Sequence, residues 1–211
     1  MSRWTEEGIE VTYLVVTRGD AGGFDDTPRA AIPKMRENEQ RAAAKAVGVS
    51  AVEFLDGYAD GTLTPSLALR RDIAAAIRRA RPDRVLTNSP LRRWDRLAGP
   101  SHPNHLAVGE ATTCAIYPDA RNPFAFPELA AAGLEPWTVR EVWYTGGPDP
   151  DHAVDITDEF PRKVAALQAH ASQTAHMDIE AVIRGRLATV AEAAGLPPGR
   201  LAEAFTVLRT Q

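Results

Sequence analysis

Ser101-His102-Pro103-Asn104-His105 is the stretch whose residue types and spacing carry the most chemistry. Two histidines three apart at a helix start lie on one face, about one turn from each other, so both imidazoles reach toward one point. Pro103 suits a first helical turn, where its missing N–H leaves nothing unsatisfied. The pair fits metal binding or catalysis, and a capping or surface pair accounts for the same spacing equally well. Cys114 is the single cysteine, so neither an internal disulfide nor a Cys-x-x-Cys pair can form. That usage fits a reducing cytoplasm. Arg18-Gly19-Asp20-Ala21-Gly22-Gly23 is glycine-rich, but it has neither the spacing of a dinucleotide fingerprint nor the Gly-Lys-Ser/Thr ending of a P-loop. No nucleotide is expected there.

The elements that must position these residues alternate in type. Ile9 to Thr17 is β-branched and aromatic and enters the glycine-rich loop, which predicts a buried strand. Met35 to Val47 reads as a helix ending at Gly48, a left-handed cap. Ala51 to Leu55 reads as a strand, and Leu67 to Arg81 as an amphipathic helix stopped by Pro82. Arg84 to Thr87 reads as a third strand, followed by a long polar loop to the histidines. Asn104 to Tyr117 reads as a helix, and Pro118 to Pro136 as a Pro-punctuated excursion that packs Phe124, Phe126 and Trp137. Val139 to Tyr144 and Ala153 to Ile156 read as strands flanking the turn Gly146-Gly147-Pro148-Asp149-Pro150. Thr157 is the candidate N-cap of a helix reaching His170, and a last helix covers Ile179 to Ala194. Strands alternating with helices imply an α/β fold with a mostly parallel sheet.

The 211 residues, 44% hydrophobic, suffice for one sizeable core, so a single domain over residues 1–211 is expected. No stretch reaches the length of a membrane span and the first residues lack a secretory apolar run. A net charge of -4 argues against a nucleic-acid partner, because phosphate backbones are held by excess Lys and Arg. Arg70, Arg71, Arg78, Arg79 and Arg81 flank the stripe Leu69, Ile73, Ile77 and Ala80, which assigns them to a solvated helix face. Arg92, Arg93 and Arg96 lie in the loop before the histidines. Trp94, Trp137 and Trp143 are read as packing residues.

Taken in order, the landmarks are Thr17-Arg18-Gly19-Asp20-Ala21-Gly22, Arg36-x-x-Glu39, Asp60-Gly61, His102-Pro103-Asn104-His105, and Asp155-Ile156-Thr157 with Lys163 and His170-Ala171-Ser172-Gln173. Together they resemble the PIG-L/LmbE-like zinc N-deacetylases, and the likeness runs from about residue 3 to residue 175. The resemblance implies a Rossmann-like, three-layer α/β fold, a single Zn2+, and hydrolysis of the N-acetyl group of an amino sugar or sugar conjugate. It makes His105 the metal ligand and His102 the catalytic residue beside the substrate carbonyl. Arg36 and Asp60 match positions near the substrate. An Arg36–Glu39 ion pair and an ordinary Asp60-Gly61 turn are the competing accounts of those two.

The family's Ala-His-Pro-Asp-Asp-Glu-type loop, with two further ligands and the general base, has no counterpart here. Met1 to Gly8 resembles the end of the helix that would follow it. The resemblance therefore implies an N-terminally incomplete domain whose first strand lies before Met1. Two other readings stand beside the deacetylase: a non-catalytic binding remnant of the fold, and a chain whose missing strand exposes apolar surface and drives homo-oligomerisation.

Overall fold

The structure, a computed structural model, describes residues 1–22 and 27–210. Gly23, the last glycine of the loop singled out above, lies outside the described residues. In chain order the elements are α1 (Ser2–Glu6), β1 (Thr12–Val15), α2 (Ile32–Ala46), β2 (Ala51–Phe54), α3 (Leu67–Ala80), β3 (Arg84–Asn88) and α4 (Pro103–Cys114). A π-helical turn covers Ala115–Asp119, followed by α5 (Pro127–Ala131), β4 (Glu141–Thr145), β5 (His152–Asp155), α6 (Phe160–Gln168), α7 (Ala171–Thr174), α8 (Ile179–Ala193) and β6 (Ala202–Arg209). The α/β alternation is the one expected. The chain forms two compact units, one of residues 1–60 with 153–203 and one of residues 61–152 with 204–211.

In the first unit β1 and β2 pair in parallel, Thr12 opposite Ala51 and Val15 opposite Phe54. The parallel pair requires a crossover, supplied by α2. Gly48, at φ +80°, turns the chain from α2 into β2 in a conformation that costs a Cβ-bearing residue energy. Ala44, Val47 and Val49 form a small core with Val11, Tyr13 and Val52 against it. A second cluster, Ile156, Phe160, Val164, Leu187 and Leu201, joins α6 to α8.

Helix α6 begins at Phe160, with Glu159 rather than Thr157 in the N-cap position. The reason is local: Asp155 Oδ1 accepts from both the Thr157 N–H (2.9 Å) and its hydroxyl (2.6 Å), closing an Asx-type turn. Thr157 Oγ1 in turn accepts the Leu201 N–H. The threonine therefore ties β5 to the approach of β6 and caps no helix.

In the second unit β3 and β4 pair in parallel, Arg84 opposite Glu141 and Asn88 opposite Thr145. Strand β6 then runs antiparallel to β4, with Phe205 opposite Thr145 and Arg209 opposite Glu141, which orders these three strands β3-β4-β6. Helix α3 starts at the Ser66 cap, whose Oγ accepts from the Leu69 N–H at 3.2 Å, and ends at Arg81 in the left-handed region before Pro82.

The solvated-face assignment fails for Arg78, which is 2% exposed. Its guanidinium donates to the carbonyls of Asp119, Ala120, Asn122, Ala125 and Leu134. Arg70 makes a two-bonded pair with buried Asp119, at 2.9 and 2.8 Å. Trp143 is buried and Trp137 donates to the Pro82 carbonyl, but Phe124 is 87% exposed, so its expected packing is not met.

Candidate functional site

His102 is the N-cap of α4, and Pro103 is its first helical residue. The His102 Nδ1 accepts the Asn104 backbone N–H at 3.2 Å, in the manner of the shorter capping side chains. An Nδ1 that accepts a hydrogen bond carries no proton, so the neutral ring bears its proton on Nε2, a donor on the side away from the helix. His105 lies one turn on, its ring centroid 5.6 Å from that of His102 and tilted by 55°. Both side chains are exposed, while Asn104 between them is 6% exposed. The capping role is realised at His102, and the two rings stand one turn apart as their spacing implies.

Two contacts that the sequence reading did not single out set where this pair sits. Ser101, 2% exposed, accepts the Arg93 N–H at 2.8 Å and donates to the Arg93 carbonyl at 3.0 Å, so the long loop is tied back to the residue preceding His102. Gly109, one turn beyond His105, lets α4 lie directly on the exit of β3. A Cβ there would meet the Asn88 carbonyl oxygen at 2.5 Å and the Pro90 nitrogen at 2.8 Å. A glycine inside an otherwise regular helix is the signal that reveals such a close approach. Gly109→Ala gains about 1 kcal/mol of helix propensity but overlaps backbone atoms that cannot turn aside, an overpacking of about 1–3 kcal/mol. Urea unfolding should show a net loss of stability; a gain would refute the contact.

The first unit holds the other two residues assigned by resemblance. Arg36, on α2, lies across the glycine-rich turn in which the Gly22 N–H bonds the Gly19 carbonyl. A Cβ on Gly19, whose φ is +66°, would stand 2.9 Å from Arg36 Nη1, and one on Gly22 would stand 3.6 Å from Nη2. These glycines thus leave room for a guanidinium. Arg36 Nε is buried and has no hydrogen-bond partner.

The Arg36–Glu39 ion pair, the competing account of Arg36, is not formed. The two oxygens of Glu39 accept instead from the Ser172 N–H and hydroxyl, both at 2.7 Å, at the start of α7. Asp60 is half-buried in a turn with Gly61, whose φ of +81° meets the turn's demand.

His170 stands beside this group. Burial holds its imidazole below the ordinary value of 6.5, with Arg36 adding to the shift and Glu39 opposing it. The folded protein therefore binds that proton more weakly than the unfolded chain does. The resulting stability is complete above about pH 6.5 and is lost as the pH falls below it. His170→Gln should flatten the stability profile below about pH 6.5 in urea titrations, and an unchanged slope would show that the imidazole plays no part.

A catalytic zinc takes about three protein ligands and an open position. His102 and His105 offer two imidazoles, and among the described residues no group of three or more His, Cys, Asp or Glu is placed to hold a metal ion. The described side chains thus do not by themselves make a catalytic zinc centre. Among the described residues, no helix is long and apolar enough to cross a membrane.

Residues 1–116 match the family model described as PIG-L, GlcNAc-PI de-N-acetylase. Over 178 residues the chain is 31% identical to the diacetylchitobiose deacetylase of Thermococcus kodakarensis, covering 82% of this chain and 62% of that protein. It is 30% identical over 181 residues to the probable N-acetyl-alpha-D-glucosaminyl L-malate deacetylase 2 of Bacillus anthracis, covering 82% of this chain and 72% of that one. The solved N,N'-diacetylchitobiose deacetylase of Pyrococcus horikoshii superposes with a TM-score of 0.87 at 25% identity, over 99% of this chain and 76% of that chain.

Proposed function

The chain belongs to the PIG-L (GlcNAc-PI de-N-acetylase) family, and from that premise we propose that it serves the hydrolytic removal of an N-acetyl group from an amino sugar or sugar conjugate. The observation that carries this reading is the imidazole pair at the start of α4, in which the His102 cap bond directs the ring's N–H outward beside His105. In this role His102 donates from Nε2 to the amide oxygen, whose negative charge grows as the carbonyl is attacked. Arg36, its guanidinium seated on the Gly19–Gly22 turn, and Asp60 bind hydroxyl groups of the sugar. His105 is the imidazole assigned to zinc. The same proposal takes residues 1–211 as parts of one deacetylase domain working in the cytoplasm.

A second reading has its own observation in favour. The described residues lack a group of three metal-binding side chains, which suits a form that binds the sugar and does not cleave it. One experiment separates the two. The purified chain, supplied with one equivalent of zinc, is incubated with N,N'-diacetylchitobiose, and acetate is assayed alongside bound metal. Deacetylation predicts acetate release, lost in His105→Ala together with the bound zinc while the circular dichroism is unchanged. Saturable sugar binding without acetate release would establish the binding form instead.

A further inference from the structure

The loop from Ser89 to Ser101 combines two properties that do not ordinarily go together. Its backbone is tied at several points: the Ser89 N–H to the Thr145 carbonyl (2.9 Å), the Leu91 N–H to Ser89 Oγ (3.1 Å), the Arg93 N–H and carbonyl to the Ser101 hydroxyl, and the His102 N–H to the Gly99 carbonyl (3.0 Å). Yet its large apolar side chains stay in water. Leu91 and Leu97 are each 59% exposed and Trp94 is 82% exposed. An indole buries 150–250 Å² when it packs, and folding makes no use of that area here. The sequence expectation that Trp94 packs is not met.

The indole is also placed. Arg93, its neighbour, is hydrogen-bonded to Ser101, the residue before His102. Summing consecutive Cα spacings with one hydrogen-bonded step puts the Trp94 backbone within roughly 14 Å of that of His102. The Arg92 guanidinium lies over the Trp94 ring, 5.7 Å from its centroid, and is itself held by the Ser101 carbonyl at 3.1 Å. Arg93 pairs with Asp95. The result is an exposed indole with one fixed guanidinium over its ring, within one sugar ring or two of His102.

We propose that Trp94, with the Arg92 guanidinium against one side of its ring, is the platform that receives the second moiety of the substrate, the ring attached to the N-acetylated sugar. The inference rests on the function proposed above. A pyranose or cyclitol presents an apolar face of C–H bonds and a rim of hydroxyls. The first stacks on an indole, and the second accepts hydrogen bonds from a guanidinium. Residues that recognise the attached moiety must also stand close to the reacting amide without belonging to the histidine pair, and this loop meets that condition.

The test is tryptophan emission in the purified chain titrated with N,N'-diacetylchitobiose, a readout that needs no turnover. Trp4 and Trp137 are half-buried and Trp143 is buried, so Trp94 dominates the solvent-exposed signal. The disaccharide should shift the emission to the blue. Trp94→Ala should abolish that shift and weaken binding about three- to ten-fold, with Trp94→Phe intermediate and the thermal midpoint unchanged in both. Phe124→Ala, removing another exposed ring, should bind as the parent does.

Equal disaccharide affinity in Trp94→Ala and the parent overturns the proposal. So does an equal loss in Phe124→Ala, or a Trp94-dependent dimer seen by light scattering without any Trp94 effect on sugar affinity. A Trp94-dependent shift in a protein that releases no acetate supports the platform and counts against the catalytic reading, so the two ideas fail separately.

Discussion

Replacing Arg78 by methionine should destabilise the protein by about 3–5 kcal/mol, the cost of breaking a buried, fully hydrogen-bonded charge, out of a total near 5–15 kcal/mol for a domain. Methionine fills most of the volume of the arginine stem, so the loss is not a cavity effect. Five carbonyl groups, of Asp119, Ala120, Asn122, Ala125 and Leu134, lose this donor at once, and among the described residues only those of Ala120 and Asn122 keep a backbone N–H, from Trp137 and Ala125. A buried carbonyl without a partner costs about 1–3 kcal/mol, and relaxation toward water will spare some of the five. Burial pulls the Arg78 pKa down from its ordinary value, with Glu135 and Asp119 opposing the shift, and a guanidinium nonetheless stays charged throughout the accessible pH range. Arg78→Lys should recover only part of the loss, since one ammonium with three donors cannot span acceptors spread from Asp119 to Leu134. Arg79→Met, on the exposed side of α3, should stay within about 0.5 kcal/mol of the parent. Urea unfolding of the three variants checks this ordering, and equal effects at positions 78 and 79 would remove the argument.

Arg78 also marks where sequence reading stops. Helix α3 was legible because everything that makes it is local: an apolar stripe, the Ser66 cap, and Pro82 after Arg81. The acceptors of Arg78 lie some 40 to 56 residues further on, so no pattern within the helix separates it from solvated Arg79. The same distinction explains the strands. β2 and β3 are short, β-branched and bounded by turns, and were readable. Phe205 to Leu208 draws its strand character from pairing antiparallel with β4, sixty or more residues away, which no local pattern reports. Thr157 failed as a cap for a subtler reason, since Asp155, two residues earlier, holds its N–H and hydroxyl in a turn. In the candidate site, the histidine pair was legible from its spacing and Gly109 left a helical anomaly. The Arg36 seat on Gly19 and Gly22 needed the folded backbone to appear, because its parts are distant in sequence.

His102 supports two separable jobs, and one pair of substitutions should separate them. As the N-cap of α4 it holds the Asn104 N–H on Nδ1, and in the proposed reaction it would offer Nε2–H to the substrate amide. His102→Ala removes both. Losing a capping side chain costs about 0.5–2 kcal/mol, and losing one hydrogen-bond donor to a developing oxyanion lowers kcat by about 10²–10³. His102→Asn removes only the second, because asparagine ranks among the best N-cap residues and its side-chain oxygen reaches the same backbone N–H. The Asn variant should therefore keep or slightly raise the unfolding midpoint while losing as much acetate release as the Ala variant. Its KM for the disaccharide should change little, since the donor acts as the oxyanion forms. If both variants lose activity in proportion to stability, His102 serves only to start the helix, and the outward N–H has no part in the reaction. If His102→Asn stays stable and inactive, the bond that caps α4 is also what fixes the proton on the nitrogen that faces the substrate.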